Sequence, residues 1–325
     1  MPNLRSPGTG RGAVAHDAAI ESLPRSLAGL SWGLPRAFLG LDEASSAFAS
    51  ARSVILPVPY EATTTWGTGT RYGPRAILDA SHYVELYDHE LDAEPCRAGI
   101  HTLPALELTR DGPAPALAQL EEAWGAVYDA AEDRFVTMLG GEHSISSAAI
   151  RAAAARHPER LSVLQFDAHA DLRASHDGSR FSHACAMTRI MDRADIVAVG
   201  LRGVSLEEVE AARREPGVTL IFADEMEQDE AWMDRALDAL GPLVYLTFDV
   251  DYFDPSLVPS TGAPEPGGCA WYPTLRFLRR VFAERRVVAA DVVELAPIPG
   301  LRAPDFLVAR LVYKLIAYAT ADPGP

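Results

Sequence analysis

The sequence predicts an α/β fold, a mostly parallel sheet with helices on both faces. Short apolar runs alternate with helical patterns over most of the length. The runs are continuously apolar rather than alternating, the pattern of strands covered on both sides. No internal repeat and no Pro/Gly/Ser linker interrupts them, so 30–325 is expected to form a single domain.

Residues 1–29 carry scattered Arg, Gly, Ser and Pro without the apolar centre of a secretory signal. They are expected to be a loosely ordered tail, or an arm packed on a neighbouring subunit. Strands are predicted at 52–58, 135–139, 161–166, 196–200, 243–248 and 287–290, each short, largely apolar and rich in β-branched or aromatic types. Helices are predicted at 115–131, 146–156, 205–214, 229–240, 274–285 and 305–319. The first opens on Pro115, a residue tolerated in a first helical turn. The apolar stripe of the last, including Leu307, Leu311, Leu315 and Tyr318, is expected to be core. Pro and Gly cluster at 254–268 directly after a strand, which suggests a long functional loop.

Composition narrows the function classes. A chain of 325 residues, 48% of them hydrophobic, can bury a large core. Its apolar stretches are broken before the roughly 18 residues that a membrane helix needs, so no membrane partner is expected. A net charge of −16 disfavours nucleic acid and could concentrate a cationic substrate, although an acidic surface is ordinary in soluble proteins. Cys96, Cys185 and Cys269 form no close pair and suggest no disulfide framework, which fits a reducing cytoplasm. Lys314 is the only lysine, a feature of composition to which no function is attached.

In parallel sheets, ligands bind beyond the carboxyl ends of the strands. His143 follows one predicted strand, Asp167 a second and Asp249 a third, and Glu294 comes shortly after a fourth. Asp167, His169 and Asp171 are spaced i, i+2, i+4, which in extended backbone puts all three side chains on one side. Asp249 and Asp251 repeat the device. Four carboxylates brought together need strong positive compensation, and these blocks contain no Lys or Arg. Divalent cations supply it, and two suit six ligands better than one. Oxygen-rich donors with some imidazole fit Mn²⁺, with Co²⁺, Ni²⁺ or Zn²⁺ able to substitute. The lack of Cys argues against a structural zinc site. Any single Asp or His here reads equally well as a surface acid or a satisfied polar residue. Chance rarely produces D-x-H-x-D, D-x-D and Gly-Gly-x-His together at three strand ends.

The blocks Gly-Gly-Glu-His-Ser (140–144), Asp-Ala-His-Ala-Asp (167–171) and Thr-Phe-Asp-Val-Asp-Tyr-Phe-Asp-Pro-Ser (247–256) resemble the ureohydrolase family of arginase, agmatinase, guanidinobutyrase and formimidoylglutamase. Weaker matches lie at 69–77, 181–183 and 291–294, and the resemblance spans about 39–318. It implies a three-layer α/β/α, arginase-like fold, a trimer or hexamer, and two Mn²⁺ per subunit. His143 and Asp171 would bind one ion, His169 and Asp251 the other, and Asp167 and Asp249 would contact both. A hydroxide shared by the metals would attack the guanidinium carbon of a small cationic substrate. Glu294 would orient that guanidinium, and His183 would carry a proton. Apart from the resemblance, Glu294 reads at least as well as a helix-start or surface acid, and His183 as a polar loop residue.

Blander roles are expected elsewhere. Gly140 and Gly141 permit a tight turn, Cys185 packs, and Arg71 and Arg75 are structural. His82, His89, His101, His157 and His176 have no partner spacing. Arginases usually carry Asn two residues after the D-x-H-x-D block, whereas Arg173 stands here, in a loop that looks like an agmatinase's. That resemblance implies hydrolysis of agmatine to putrescine and urea. Ser260 and Cys269 depart from the usual residues near the substrate tail, and keep 4-guanidinobutyrate or 3-guanidinopropionate as alternatives ahead of arginine and formimidoylglutamate. Rivals of other classes are a single-zinc deacetylase of similar fold and a metal-dependent binding protein.

Overall fold

Eight parallel strands form one sheet in the order β2-β1-β3-β8-β7-β4-β5-β6. The structure, a computed structural model, describes residues 37–321; the arm expected at 1–29 lies outside them. In chain order the strands are β1 (Ser53–Val58), β2 (Ile100–Thr102), β3 (Phe135–Gly140), β4 (Leu161–Phe166), β5 (Ala194–Leu201), β6 (Val218–Phe222), β7 (Leu243–Asp249) and β8 (Arg286–Val293). The main helices are α1 (Gly73–Ser81), α2 (Pro113–Ala131), α3 (Ser144–Ala154), α4 (Leu206–Arg214), α5 (Ala223–Gln228), α6 (Ala231–Ala239), α7 (Trp271–Glu284) and α8 (Ala303–Thr320).

The two sides of each central strand feed two separate cores, because successive side chains point to opposite faces. Along β1, Val54, Leu56 and Val58 pack with Leu120 and Trp124 of α2 and with Ile145 and Ile150 of α3. Ile55 turns the other way, into the layer built by Ile77 of α1, Trp232 of α6, Phe277 of α7 and Leu311 and Leu315 of α8. Across β4 and β7, Phe166 stacks on Phe248 with ring centroids 4.8 Å apart. This is the three-layer α/β/α arrangement, and it explains why the strands are apolar on both faces.

Local chemistry sets the element ends. Ser205 and Glu208 form a reciprocal cap that starts α4. Pro lies in the first turn of α1, α2 and α8.

All six predicted strands are present. The sequence reading missed β2, with only three residues, and β6, a partly exposed edge strand that follows Pro216-Gly217. It also missed α1, whose Gly-Pro opening reads as a loop. The helix predicted at 229–240 is α6, Ala231–Ala239, while the short α5, Ala223–Gln228, left no signal of its own. None of the described helices is long and apolar enough to cross a membrane.

Candidate metal centre and active site

Four neighbouring strands, β3, β8, β7 and β4, end at one edge of the sheet, and each delivers a predicted site residue. β3 leads through Gly141 and Glu142 to His143, β8 to Glu294, β7 to Asp249 and Asp251, and β4 to Asp167, His169 and Asp171. Adjacent strands lie about 4.8 Å apart, so the four ends fall within reach of one small volume.

His143 Nδ1 is the centre of one group, 3.0 Å from Asp167 Oδ2, 3.0 Å from Asp171 Oδ2 and 3.4 Å from Asp249 Oδ2. In the second group His169 Nδ1 lies 2.9 Å from Asp251 Oδ2 and 3.7 Å from Asp167 Oδ1. Two sets of donor atoms are close enough to share an ion, His143–Asp167–Asp249 and Asp167–His169–Asp251. Asp167 is therefore the carboxylate common to both, while Asp249 lies with His143.

The route to this convergence differs from the extended spacing expected. Residues 167–171 form a loop beyond β4, and Asp171 turns back with φ 52°. Asp251 sits in a 3₁₀ turn, Val250–Tyr252, with its N–H donating to Asp249 Oδ1 at 2.9 Å. Backbone donors aim the other carboxylates: His169 N–H donates to Asp167 Oδ1 at 2.6 Å and Ala168 N–H to Asp251 Oδ1 at 2.9 Å.

Gly141 is required by space. A Cβ there would stand 1.9 Å from Tyr60 O, so only glycine lets β3 pass the neighbouring backbone and turn into His143.

Among the described residues, no Lys or Arg pairs with Asp167, Asp171, Asp249 or Asp251. Burial, with Asp251 and Asp171 adding to it, pushes the Asp167 carboxyl up to about 7. Burial, then Asp251 and Asp167, push Asp249 well above the carboxylate range. Burial opposes charge on the histidines but is overcome by their neighbours. Asp167, Asp171 and Asp249 hold His143 well above its usual value, and Asp251 takes His169 to about 11. Asp251 is drawn down to about 2, its burial outweighed by His169. The protein's own side chains thus leave the cluster short of positive charge. His143 Nδ1 is fully buried and makes no hydrogen bond. Imidazole nitrogen and carboxylate oxygens about 3 Å apart have the spacing of neighbouring ligands around an ion bound at about 2.1 Å. The donor set fits two divalent cations.

A supporting layer was not legible from motif spacing. His143 Nε2 meets Thr247 Oγ1 at 2.9 Å; Thr247 donates to Asp291 Oδ1 at 2.6 Å, and Tyr245 O–H to Asp291 Oδ2 at 2.9 Å. Gln165 Nε2 donates to Asp167 Oδ2 at 2.8 Å. Such partners fix ring orientation and ligand basicity. Their sequence signal is a polar residue inside a strand that is apolar on both faces, which describes Gln165, Thr247 and Asp291 alike.

Glu142, fully buried, ties the facing wall together. It accepts the N–H groups of Ala62 and Thr63 at 2.6 Å each, the Thr63 hydroxyl at 2.7 Å and the Ser144 hydroxyl at 2.6 Å. Thr63 Oγ1 in turn accepts the His183 N–H at 2.9 Å.

Glu294 and His183 close the site. Glu294 has φ 65°, a conformation costly for a non-glycine residue. Its Oε1 accepts the His143 N–H at 2.6 Å and lies 3.7 Å from His183 Nδ1. Burial holds His183 below its usual pKa. The open cleft, about 760 Å³, is lined by Trp66, Arg173, His176 and Glu208 in addition to His169, Asp171, His183, Asp249, Asp251 and Glu294. His176, set aside on spacing alone, is thus in the wall, 6.4 Å ring to ring from His183. Cys185 is buried, and the half-exposed Arg71 and Arg75 pair with Glu61 and Asp79.

The profile of the arginase family matches residues 51–317. The chain belongs to the arginase family. It is 38% identical over 289 residues to the N(1)-aminopropylagmatine ureohydrolase of Synechocystis sp., covering 87% of this chain and 94% of that one. It is 36% identical over 296 residues to the enzyme of the same name from Thermus thermophilus, covering 88% and 96%. Among solved structures, the agmatine ureohydrolase of Thermoplasma volcanium superposes with a TM-score of 0.75 at 28% identity, over 85% of this chain and 93% of that one. This family member is a ureohydrolase, an enzyme that hydrolyses a guanidino C–N bond, rather than a deacetylase or a binding protein on the same scaffold.

Proposed function

We propose that this ureohydrolase is a binuclear, Mn²⁺-dependent enzyme whose substrate is a guanidinoalkyl amine, foremost N(1)-aminopropylagmatine, cleaved to spermidine and urea. The observation that carries the chemistry is the pair of donor sets sharing Asp167, with no Lys or Arg among the described residues paired to them. His143, Asp171 and Asp249 would hold one cation, His169 and Asp251 the other, with Asp167 between them. Two such cations supply charge compensation and lower the pKa of a water to give a nucleophile near neutral pH.

The chain's own groups do the rest. Glu294 offers a buried carboxylate beside His143, suited to a planar guanidinium through charge-assisted hydrogen bonds. Its strained backbone places that carboxylate where a relaxed strand end would not. His183, kept neutral by burial, can take up a proton and return one to the departing amine. Thr63 holds its backbone, and Thr65 Oγ1 lies 3.4 Å from its Nε2.

The amine tail is supported by the two relatives named N(1)-aminopropylagmatine ureohydrolase and by the acidic cleft. Arg173, which could greet an acid tail, has its Nε 3.8 Å from the Glu208 carboxylate instead. Agmatine is the second reading, favoured by the Arg173 loop and by the Thermoplasma volcanium neighbour. A cytoplasmic trimer or hexamer belongs to the same reading. Urea release measured across N(1)-aminopropylagmatine, agmatine, arginine, 4-guanidinobutyrate and 3-guanidinopropionate in added Mn²⁺ tests it. The highest kcat/KM is expected for the aminopropyl substrate; preference for either guanidino acid would refute the amine reading.

A further inference from the structure

Strand β5 ends beside the site without supplying a ligand, yet its end carries the most heavily bonded side chain there. Arg202 Nη2 donates to Asp251 O at 2.6 Å, to Glu265 O at 2.9 Å and to Phe253 O at 3.3 Å. Nη1 donates to Gly200 O at 2.9 Å and to Tyr252 O at 3.4 Å. Nε donates to Pro266 O at 3.1 Å and to Glu265 O at 3.2 Å. All these acceptors are neutral backbone carbonyls. They belong to three segments: the end of β5, the turn that carries Asp251, and the loop at 265–266.

The backbone here also holds the segment that carries the other member of the same donor pair. Arg202 N–H and Gly203 N–H both donate to Ala168 O at 2.9 Å, on the peptide just before His169. A Cβ on Gly203 would stand 2.8 Å from His169 Cδ2 and 2.9 Å from its Nε2. Asp251 and His169, 2.9 Å apart, are therefore braced from one strand end, Asp251 through its own peptide and His169 through the peptide that precedes it. None of the contacts of Arg202 reaches His143, Asp171 or Asp249.

We propose that Arg202 is a positioning residue for one half of the metal centre, holding the Asp251 turn so that the His169–Asp251 pair can bind its cation, while the His143 half is held independently. This rests on the two-cation reading of the pocket. A guanidinium suits the task because its five N–H groups form a rigid planar fork. An ammonium has three donors on a compact head and cannot bridge three segments in one plane.

The test is Mn²⁺ binding to the chelator-stripped full chain, followed by calorimetry and by the electron paramagnetic resonance of the loaded protein. Wild type is expected to bind two Mn²⁺ per chain with the signal of a coupled pair. Arg202→Gln is expected to keep one site at wild-type affinity and to weaken the other at least about tenfold, the usual scale for an outer partner of a metal ligand, leaving an isolated-ion spectrum. Arg202→Lys keeps the charge and stem and should fall between. Gly203→Ala, which crowds His169, should weaken the same single site. Unchanged affinity at both sites in Arg202→Gln, or equal loss at both, overturns the proposal. If Arg202→Gln does not fold, Arg202→Lys and Gly203→Ala decide it by the same criterion. Fewer than two Mn²⁺ on wild type would remove the two-cation reading itself, and the proposal with it.

Discussion

Asp88 and Glu90, on the loop after α1, each lie 2.7 Å from the ammonium of Lys314 on α8. Asp167, Asp171, Asp249 and Asp251 are buried as Asp88 is, but they meet imidazoles and one another. The first cluster carries its own cation. Asp88 is fully buried, and its carboxyl still lies below the usual range, because Lys314 and the Leu91 N–H outweigh the burial that would raise it. In the second, burial and mutual repulsion drive Asp167 and Asp249 upward. The two clusters show how a structural group of charges differs from a functional one in the same fold. The only lysine of the chain completes the one, and in the proposed two-cation reading ions from solution complete the other.

The largest effect should come from the incomplete cluster. Asp249→Ala is expected to lower urea release by about a thousandfold or more, since metal-borne charge stabilisation is worth several kcal/mol, with little change in thermal stability of the metal-free protein. Steady-state assay beside a melting curve checks both. Undiminished activity would mean that Asp249 is only a polar residue at a strand end.

Lys314→Met should do the reverse. Removing the ammonium leaves the buried Asp88 with Arg310, 3.8 Å away, as its remaining cation, at a cost of about 3 kcal/mol in unfolding free energy, read from urea denaturation, while kcat of the folded enzyme is kept. The pH dependence has a definite sign. Because the native Asp88 pKa lies below the unfolded one, its contribution is full above about pH 4. It fades as pH falls through the lower native value. The stability advantage of wild type over Asp88→Asn should therefore shrink only on the acid side; an advantage that shrinks towards alkaline pH would show that another group governs it.

Thr247→Val is expected to have the smallest effect. It removes the hydroxyl between His143 and Asp291 and should weaken Mn²⁺ binding about 10- to 100-fold. Unchanged Mn²⁺ affinity would mean that His143 is oriented by packing alone.

Why the metal cluster was legible and its support was not follows from the kind of signal each leaves. The proposed ligands cluster as short motifs directly after strands, so His143, Asp167, His169, Asp171, Asp249 and Asp251 stand out together. Extended backbone was expected to align them, whereas a loop with φ 52° at Asp171 and a 3₁₀ turn at Asp251 do it. Arg202 and Glu142 act mainly through distant backbone and loop groups, which no local spacing encodes. Of the fold, the strands buried on both faces were plain in composition. The short β2 and the exposed β6 lacked enough apolar length to register.

Anomalous diffraction from Mn²⁺-soaked crystals of the full chain tests the central claim most directly. Two peaks are predicted, one bounded by His143, Asp171 and Asp249 and the other by His169 and Asp251, with Asp167 touching both. A single peak, or manganese bound away from these side chains, would contradict it.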